Sequence, residues 1–222
     1  MKNIIWLSHI LEERTPVYGG KSALTIKKQK QLSLGDTCNT TELQFNNHLG
    51  THVDVPYHFL NHGKTISEYS AVDWIFDKPL LIDIKLKDAE ILTVDYLKNL
   101  LQKKDGVDII LFRTGFENCR MEERYWKTNP GFSPDLVDYL LTSFPTLKAI
   151  GMDTISLTSY QHREIGKKAH INFLKAGIRI FEDLSLAALR HKILRQIIAL
   201  PLRFEQADGA PCSIIGFVDD PV

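Results

Sequence analysis

Short apolar runs alternate along the chain with longer polar stretches, and two different periods can be read from them. Runs rich in β-branched and aromatic residues, bounded by turn formers, predict strands at Ile4–Ser8, Ala23–Lys27, Leu43–Asn46, Pro79–Ile84, Asp108–Arg113, Ala149–Asp153, Ile178–Phe181, Ile197–Leu200 and Ser213–Val218. Thr93 is placed to cap a helix over Val94–Lys103, with Leu97, Leu100 and Leu101 on one side. Ser133-Pro134 offers a cap residue followed by proline at the first helical position. A further helix is expected over about 167–176, with Gly177 as its stop. Strands come more densely early in the chain and then alternate with helices, which predicts a mixed α/β architecture. No repeat, low-complexity run or linker interrupts the pattern, so one domain spanning residues 1–222 is expected.

Charge narrows the partners. Lys plus Arg number 27 and Asp plus Glu 27, so there is no basic surplus to bind nucleic acid or an anionic membrane. The run Lys27-Lys28-Gln29-Lys30 follows a strand candidate and reads as an exposed edge or loop. No stretch approaches the roughly 18 apolar residues of a membrane span. The apolar start, Met1 to Ser8, is too short for a signal-peptide core. Cys38, Cys119 and Cys212 are far apart and form neither a disulfide framework nor a Cys-x-x-Cys signature. They read as free buried thiols in a reducing cytoplasm.

The chemistry is concentrated in His48-Leu49-Gly50-Thr51-His52-Val53-Asp54-Val55-Pro56-Tyr57-His58. Three imidazoles and a carboxylate within one turn-forming stretch are the ligand types of zinc and similar divalent ions. His48 and His52 have helical spacing, whereas His52 and Asp54 have the spacing of one strand face. No regular element presents all three. Gly50 permits a turn, and Pro56 disfavours helix at Val55, so a tight turn passing into an extended segment is expected. His58 is either a fourth ligand or a free imidazole able to carry protons.

The stretch also matches the pattern His-x-Gly-Thr-His-x-Asp-x-Pro-x-His, and on it the chain resembles the cyclase family, which includes bacterial kynurenine formamidases and isatin hydrolases. Weaker segments agree in order. They are Trp6-Leu7-Ser8-His9, Thr15-Pro16-Val17-Tyr18-Gly19-Gly20, Phe112-Arg113-Thr114-Gly115 and Gly151-Met152-Asp153-Thr154-Ile155-Ser156. The resemblance implies that His48, His52 and Asp54 bind one metal, that Asp54 bridges to a second, and that His58 is the catalytic acid or base. It further implies that the second metal takes a His and a Glu twelve residues apart, which His170 and Glu182 supply. A helix ending at Gly177 and a returning strand can bring those two together, since seven helical residues advance about 10 Å and five strand residues about 16 Å. The implied fold is a mixed-sheet β/β/α arrangement, swivelling-domain-like, around a barrel-like central sheet, assembled as a homodimer.

Two departures bear on the substrate. Gly19 stands where relatives often have proline, and Leu157 to His162 does not follow the formamidase pattern. Tyr57, Phe59 and Trp74 near the motif, and Tyr18 in the early turn, are candidates for an aromatic pocket, with core packing as the other reading. No Gly-x-Ser-x-Gly elbow, Gly-x-Gly-x-x-Gly motif or phosphate loop offers a rival chemistry. The expectation is therefore a hydrolase using one or two divalent ions, Zn2+ or alternatively Mn2+. Its expected reaction is hydrolysis of a small amide such as N-formyl-L-kynurenine. Opening of a cyclic amide or lactone is the alternative, and a non-catalytic metal-binding protein a more distant one.

Overall fold

Four consecutive apolar residues, Ile109 to Phe112, are buried on both sides, as expected of a strand covered on each face. Ile110 and Phe112 face one core and Ile109 and Leu111 the other, and this alternation sets the layers of the whole molecule. The computed structural model describes residues 3–21, 24–101 and 104–221. In chain order its strands are β1 (Asn3–Trp6), β2 (Leu24–Lys30), β3 (Thr40–Phe45), β4 (His52–Asp54), β5 (Ile75–Phe76), β6 (Pro79–Asp83), β7 (Ile91–Leu92), β8 (Ile109–Arg113), β9 (Gly131–Phe132), β10 (Ala149–Met152), β11 (Arg179–Glu182), β12 (Ile193–Pro201) and β13 (Gly209–Asp219). The α-helices are α1 (Val94–Leu97), α2 (Arg124–Lys127), α3 (Leu136–Ser143) and α4 (Arg163–Lys175).

Nine strands form one mixed sheet in the order β5-β12-β13-β4-β11-β10-β8-β6, with β1 also paired to β13. β6, β8, β10 and β11 run parallel, and β4 joins β11 to β13 through antiparallel pairings on both of its edges. The sheet curls until β12 approaches β6, giving a nearly closed, barrel-like sheet. Val53, Leu111, Phe181, Ile197 and Ile214 fill its inside. Phe112, Ile150, Ile180, Leu140 and Phe173 form the second core, beneath α3 and α4. The architecture is the expected mixed-sheet β/β/α fold.

Several boundaries differ from the sequence reading. Ala23 and Lys103, at the ends of two predicted elements, lie outside the described residues. The basic run does not end its strand, because β2 continues through Lys27-Lys28-Gln29-Lys30 as an exposed hairpin with β3. Thr93 does cap α1, its hydroxyl accepting from the Tyr96 amide, but the α-helix stops at Leu97. Asn99 donates its side-chain amide to the Asp95 carbonyl, the acceptor its own helical N–H would need, and Leu100 is left exposed. α3 starts at Leu136 behind Asp135, while the Ser133 carbonyl accepts from the Leu136 amide in a preceding turn. α4 begins at Arg163, four residues earlier than expected, with no side-chain cap to announce it. Of the three free cysteines Cys119 and Cys212 are buried, but Cys38 is exposed beside the β2–β3 hairpin.

Candidate metal and active site

The turn at Gly50, with φ +63°, delivers His52 and Asp54 onto β4. They share one face of that strand, while Val53 points into the barrel core. Antiparallel register sets Glu182 of β11 opposite His52, on the same face. α4 lies across that face and contributes His170. The helix ends at Ala176 and Gly177 takes a left-handed φ of +77°, so the chain returns at once into β11. His170 and Glu182, twelve residues apart, thereby meet with Nε2 3.2 Å from Oε1.

Four donors converge. His52 Nε2 lies 3.4 Å from Asp54 Oδ1 and 3.4 Å from Glu182 Oε2, and His170 Nε2 lies 3.5 Å from Asp54 Oδ2 and 3.2 Å from Glu182 Oε1. Ligand atoms bound about 2.0–2.1 Å from a tetrahedral ion stand about 3.3–3.4 Å apart, so these spacings fit a divalent cation. The outer contacts fit as well. His52 Nδ1–H donates to the Gly50 carbonyl at 2.8 Å and His170 Nδ1–H to the Gly166 carbonyl at 3.0 Å, which fixes both tautomers with Nε2 toward the site. Glu182 Oε1 accepts from the Leu157 amide at 2.7 Å and the Ser156 hydroxyl at 3.1 Å. The residue after it, Asp183, adopts φ +53° and is clamped by a buried Arg120 guanidinium at 2.6 and 2.8 Å. That clamp anchors the end of β11.

His48 and His58 form a neighbouring group. His48 Nδ1–H donates to Asp54 Oδ1 at 2.7 Å and Nε2–H to Asp208 Oδ2 at 2.8 Å. His58 Nδ1–H donates to the same Asp208 oxygen at 2.8 Å, and its ring stacks on His48 with centroids 4.0 Å apart. The geometry thus groups His52 with Glu182 and His170, and His48 with His58, around the shared carboxylate of Asp54. That differs from an expectation in which His48 and His52 form one pair and His170 and Glu182 the other. Asp208 is a site residue the sequence reading missed. It sits 150 residues from His58, and Asp208-Gly209 reads only as a turn.

Electrostatics follow from this packing. Burial opposes charge on every member, but the ion pairs prevail. Asp208 and Asp54 raise His48 to about 9, and Asp54 and Glu182 raise His170 to about 10 and hold His52 well above its usual range. Against burial and the nearby Asp54 charge, His170 and His52 draw Glu182 down to about 2, and Asp54 likewise lies far below the carboxylate range. Without a metal the cluster therefore keeps protons where a cation would sit.

The group opens into a cavity of about 590 Å³ whose lining includes Tyr18, Phe59, Thr158, Arg163 and Lys167. Tyr18 and Phe59 fall where an aromatic pocket was expected. Tyr57 does not, because the tight turn Pro56–His58 that aims His58 inward leaves Tyr57 exposed. Trp74 is packed in the barrel core against Tyr69 and Phe181. The divergent segment joins the wall, with Thr158 Oγ1 3.0 Å from His170 Nδ1.

Known proteins share this frame. A kynurenine formamidase of Bacillus cereus is 26% identical over 219 residues, covering 95% of this chain and 96% of that protein. Cyclase-like protein 2 of Oryza sativa subsp. japonica is 29% identical over 226 residues, covering 96% and 79%. Among solved structures, an isatin hydrolase bound to the product analogue thioisatinate superposes with a TM-score of 0.82 at 21% identity, covering 99% of this chain and 93% of that one. A potential metal-dependent hydrolase with cyclase activity gives 0.77 at 21% identity over the full length of both chains. The family model described as putative cyclase matches residues 5–159, a span that holds the His48–His58 motif, and this chain belongs to that family.

Proposed function

We propose that the protein is a hydrolase of a small amide that depends on a divalent metal, with zinc as the favoured ion and manganese as the alternative. The observation that carries this is the ring of His52, Asp54, His170 and Glu182, whose facing atoms stand 3.2–3.5 Å apart. These residues would hold the ion, and His48 with Asp54 would take part in holding a second. A divalent ion bound there lowers the pKa of water and polarises a carbonyl.

The chain's own residues do the rest. Asp208 holds Nδ1 of His58, which leaves Nε2 as the atom that exchanges a proton. His58 lines the cavity, so it can take a proton from attacking water and deliver it to the leaving nitrogen. Phe59 packs edge-on against His58 at 4.6 Å and limits its swing. Leu157 and Ser156 keep Glu182 from rotating away.

The substrate we favour is N-formyl-L-kynurenine, hydrolysed to kynurenine and formate, in line with the kynurenine formamidases the chain is similar to over nearly its whole length. Opening of a cyclic amide is the second reading, favoured by the isatin hydrolase superposition. Turnover of each substrate by the metal-loaded protein decides between them. A homodimer in the cytoplasm completes the proposal. Exposed Trp6, Ile10, Leu43, Leu200 and Leu202 supply an apolar surface for the second copy, and light scattering on the eluting protein tests it. No helix among the described residues is long and apolar enough to cross a membrane.

A further inference from the structure

One face of α4 runs from the mouth of the cavity to its floor. Arg163, Lys167 and His170 are spaced by four and three residues, so they lie along one helical stripe, and all three line the cavity. Lys167 stands about 4.5 Å and Arg163 about 10 Å from His170 along the helix axis. Among the described residues neither cation is in an ion pair. Both are exposed at the rim, where a substrate would enter.

Arg163 is also held in place. Its guanidinium lies over the Tyr160 ring, 4.1 Å from the centroid. Tyr160 meets Tyr18 edge-on at 5.4 Å and Trp126 at 5.5 Å. Its amide donates to Asn129 Oδ1, and Asn129 Nδ2 donates to the Thr158 carbonyl at 2.8 Å. The Leu157–His162 segment, where the sequence leaves the formamidase pattern, thus builds an aromatic platform beneath a cation. Tyr18 adds a hydroxyl that is buried in the wall with no partner among the described residues. Burial pushes that hydroxyl up to about 12, so it is an O–H donor at neutral pH. Glu164 stands beside Arg163 on the rim and disfavours a substrate that is anionic throughout.

We propose that Arg163, Lys167 and Tyr18 form a carboxylate subsite at the cavity rim, which selects a small amide that carries a free carboxylate. This rests on the hydrolase reading above and narrows its substrate class. A neutral cyclic amide leaves both cations unused.

The test compares N-formyl-L-kynurenine with its methyl ester on the metal-loaded protein, in the native chain and in the Arg163→Met/Lys167→Met double variant. Lys168→Met, which removes one cation of the same helix outside the cavity lining, is the control. The expected result is a preference for the acid of roughly tenfold or more in kcat/KM, expressed in KM. The double variant should bring that ratio near one, and Lys168→Met should keep it. Equal turnover of acid and ester by the native chain, or an unchanged ratio in the double variant, overturns the subsite and leaves the hydrolase reading intact. If neither compound turns over, the formamidase reading fails, and calorimetric binding of L-kynurenine decides the subsite alone. Affinity weakened at least tenfold in the double variant upholds it, and absent or unchanged binding overturns it.

Discussion

His58→Ala separates proton transfer from metal ligation at a single residue. Bound metal should survive while turnover falls by roughly 10²-fold or more, the usual contribution of a general acid–base. Metal analysis beside kinetics checks it, and loss of metal would make His58 a ligand instead. Glu182→Gln should lower metal content, because it removes charge from a carboxylate that, like Asp54, meets both His52 and His170. Unchanged content and activity would exclude Glu182 from the site. Both residues were legible for different reasons. His48, His52, Asp54 and His58 fall within a single turn and strand, so local spacing alone brings out their chemistry. His170 and Glu182 were legible only through the family resemblance, with which a helix, a glycine stop and a returning strand of compatible lengths agree. Asp208 was not legible, since its partners His48 and His58 come from the far end of the chain and pairing between β4 and β13 brings them together.

Gly166 shows how elements constrain the site. In the interior of α4 a change to alanine normally gains about 1 kcal/mol of helix stability. Here the new Cβ would collide with the Thr158 side chain, which itself touches His170. Overpacking of this kind costs about 1–3 kcal/mol, so it outweighs the helical gain. Gly166→Ala should therefore lower both the melting temperature and activity, and a raised melting temperature would contradict the packing described. The buried parallel strands were readable from unbroken apolar runs such as Ile109 to Phe112. Helix limits were readable only in part: Thr93 marked the start of α1, but Asn99 ends that helix through a side-chain bond and α4 begins without a cap. The three-residue β4, which carries two of the proposed ligands, is too short to leave a periodic signal.

Across the whole molecule, the sequence implied a barrel-like sheet only through resemblance. Closure depends on β12 reaching β6 and on β13 serving three neighbours, and no local pattern encodes either. The global charge balance gave no hint of the buried cluster, because a whole-chain sum does not say which acids and histidines the fold brings together. That cluster makes metal uptake depend on pH with a definite sign. A metal takes neutral imidazole, but His48 stays protonated up to about 9 and His170 up to about 10. Uptake near neutrality must displace these protons, so affinity should rise as pH is raised from 6 to 9, with proton release. Calorimetry in two buffers of different ionisation enthalpy measures that release, and a buffer-independent heat would contradict it. Metal at 100 times its Kd should stabilise the fold by about 2.7 kcal/mol. For a chain of this size that corresponds to about 5–10 °C in Tm, which chelator should reverse.

The most direct measurement is hydrolysis of N-formyl-L-kynurenine by the purified protein, followed by kynurenine absorbance after chelation and after zinc or manganese is restored. Chelator should abolish turnover and added metal should restore it. Turnover unaffected by thorough chelation, in protein shown to be metal-free, would mean that the ring of His52, Asp54, His170 and Glu182 does not work through a bound cation.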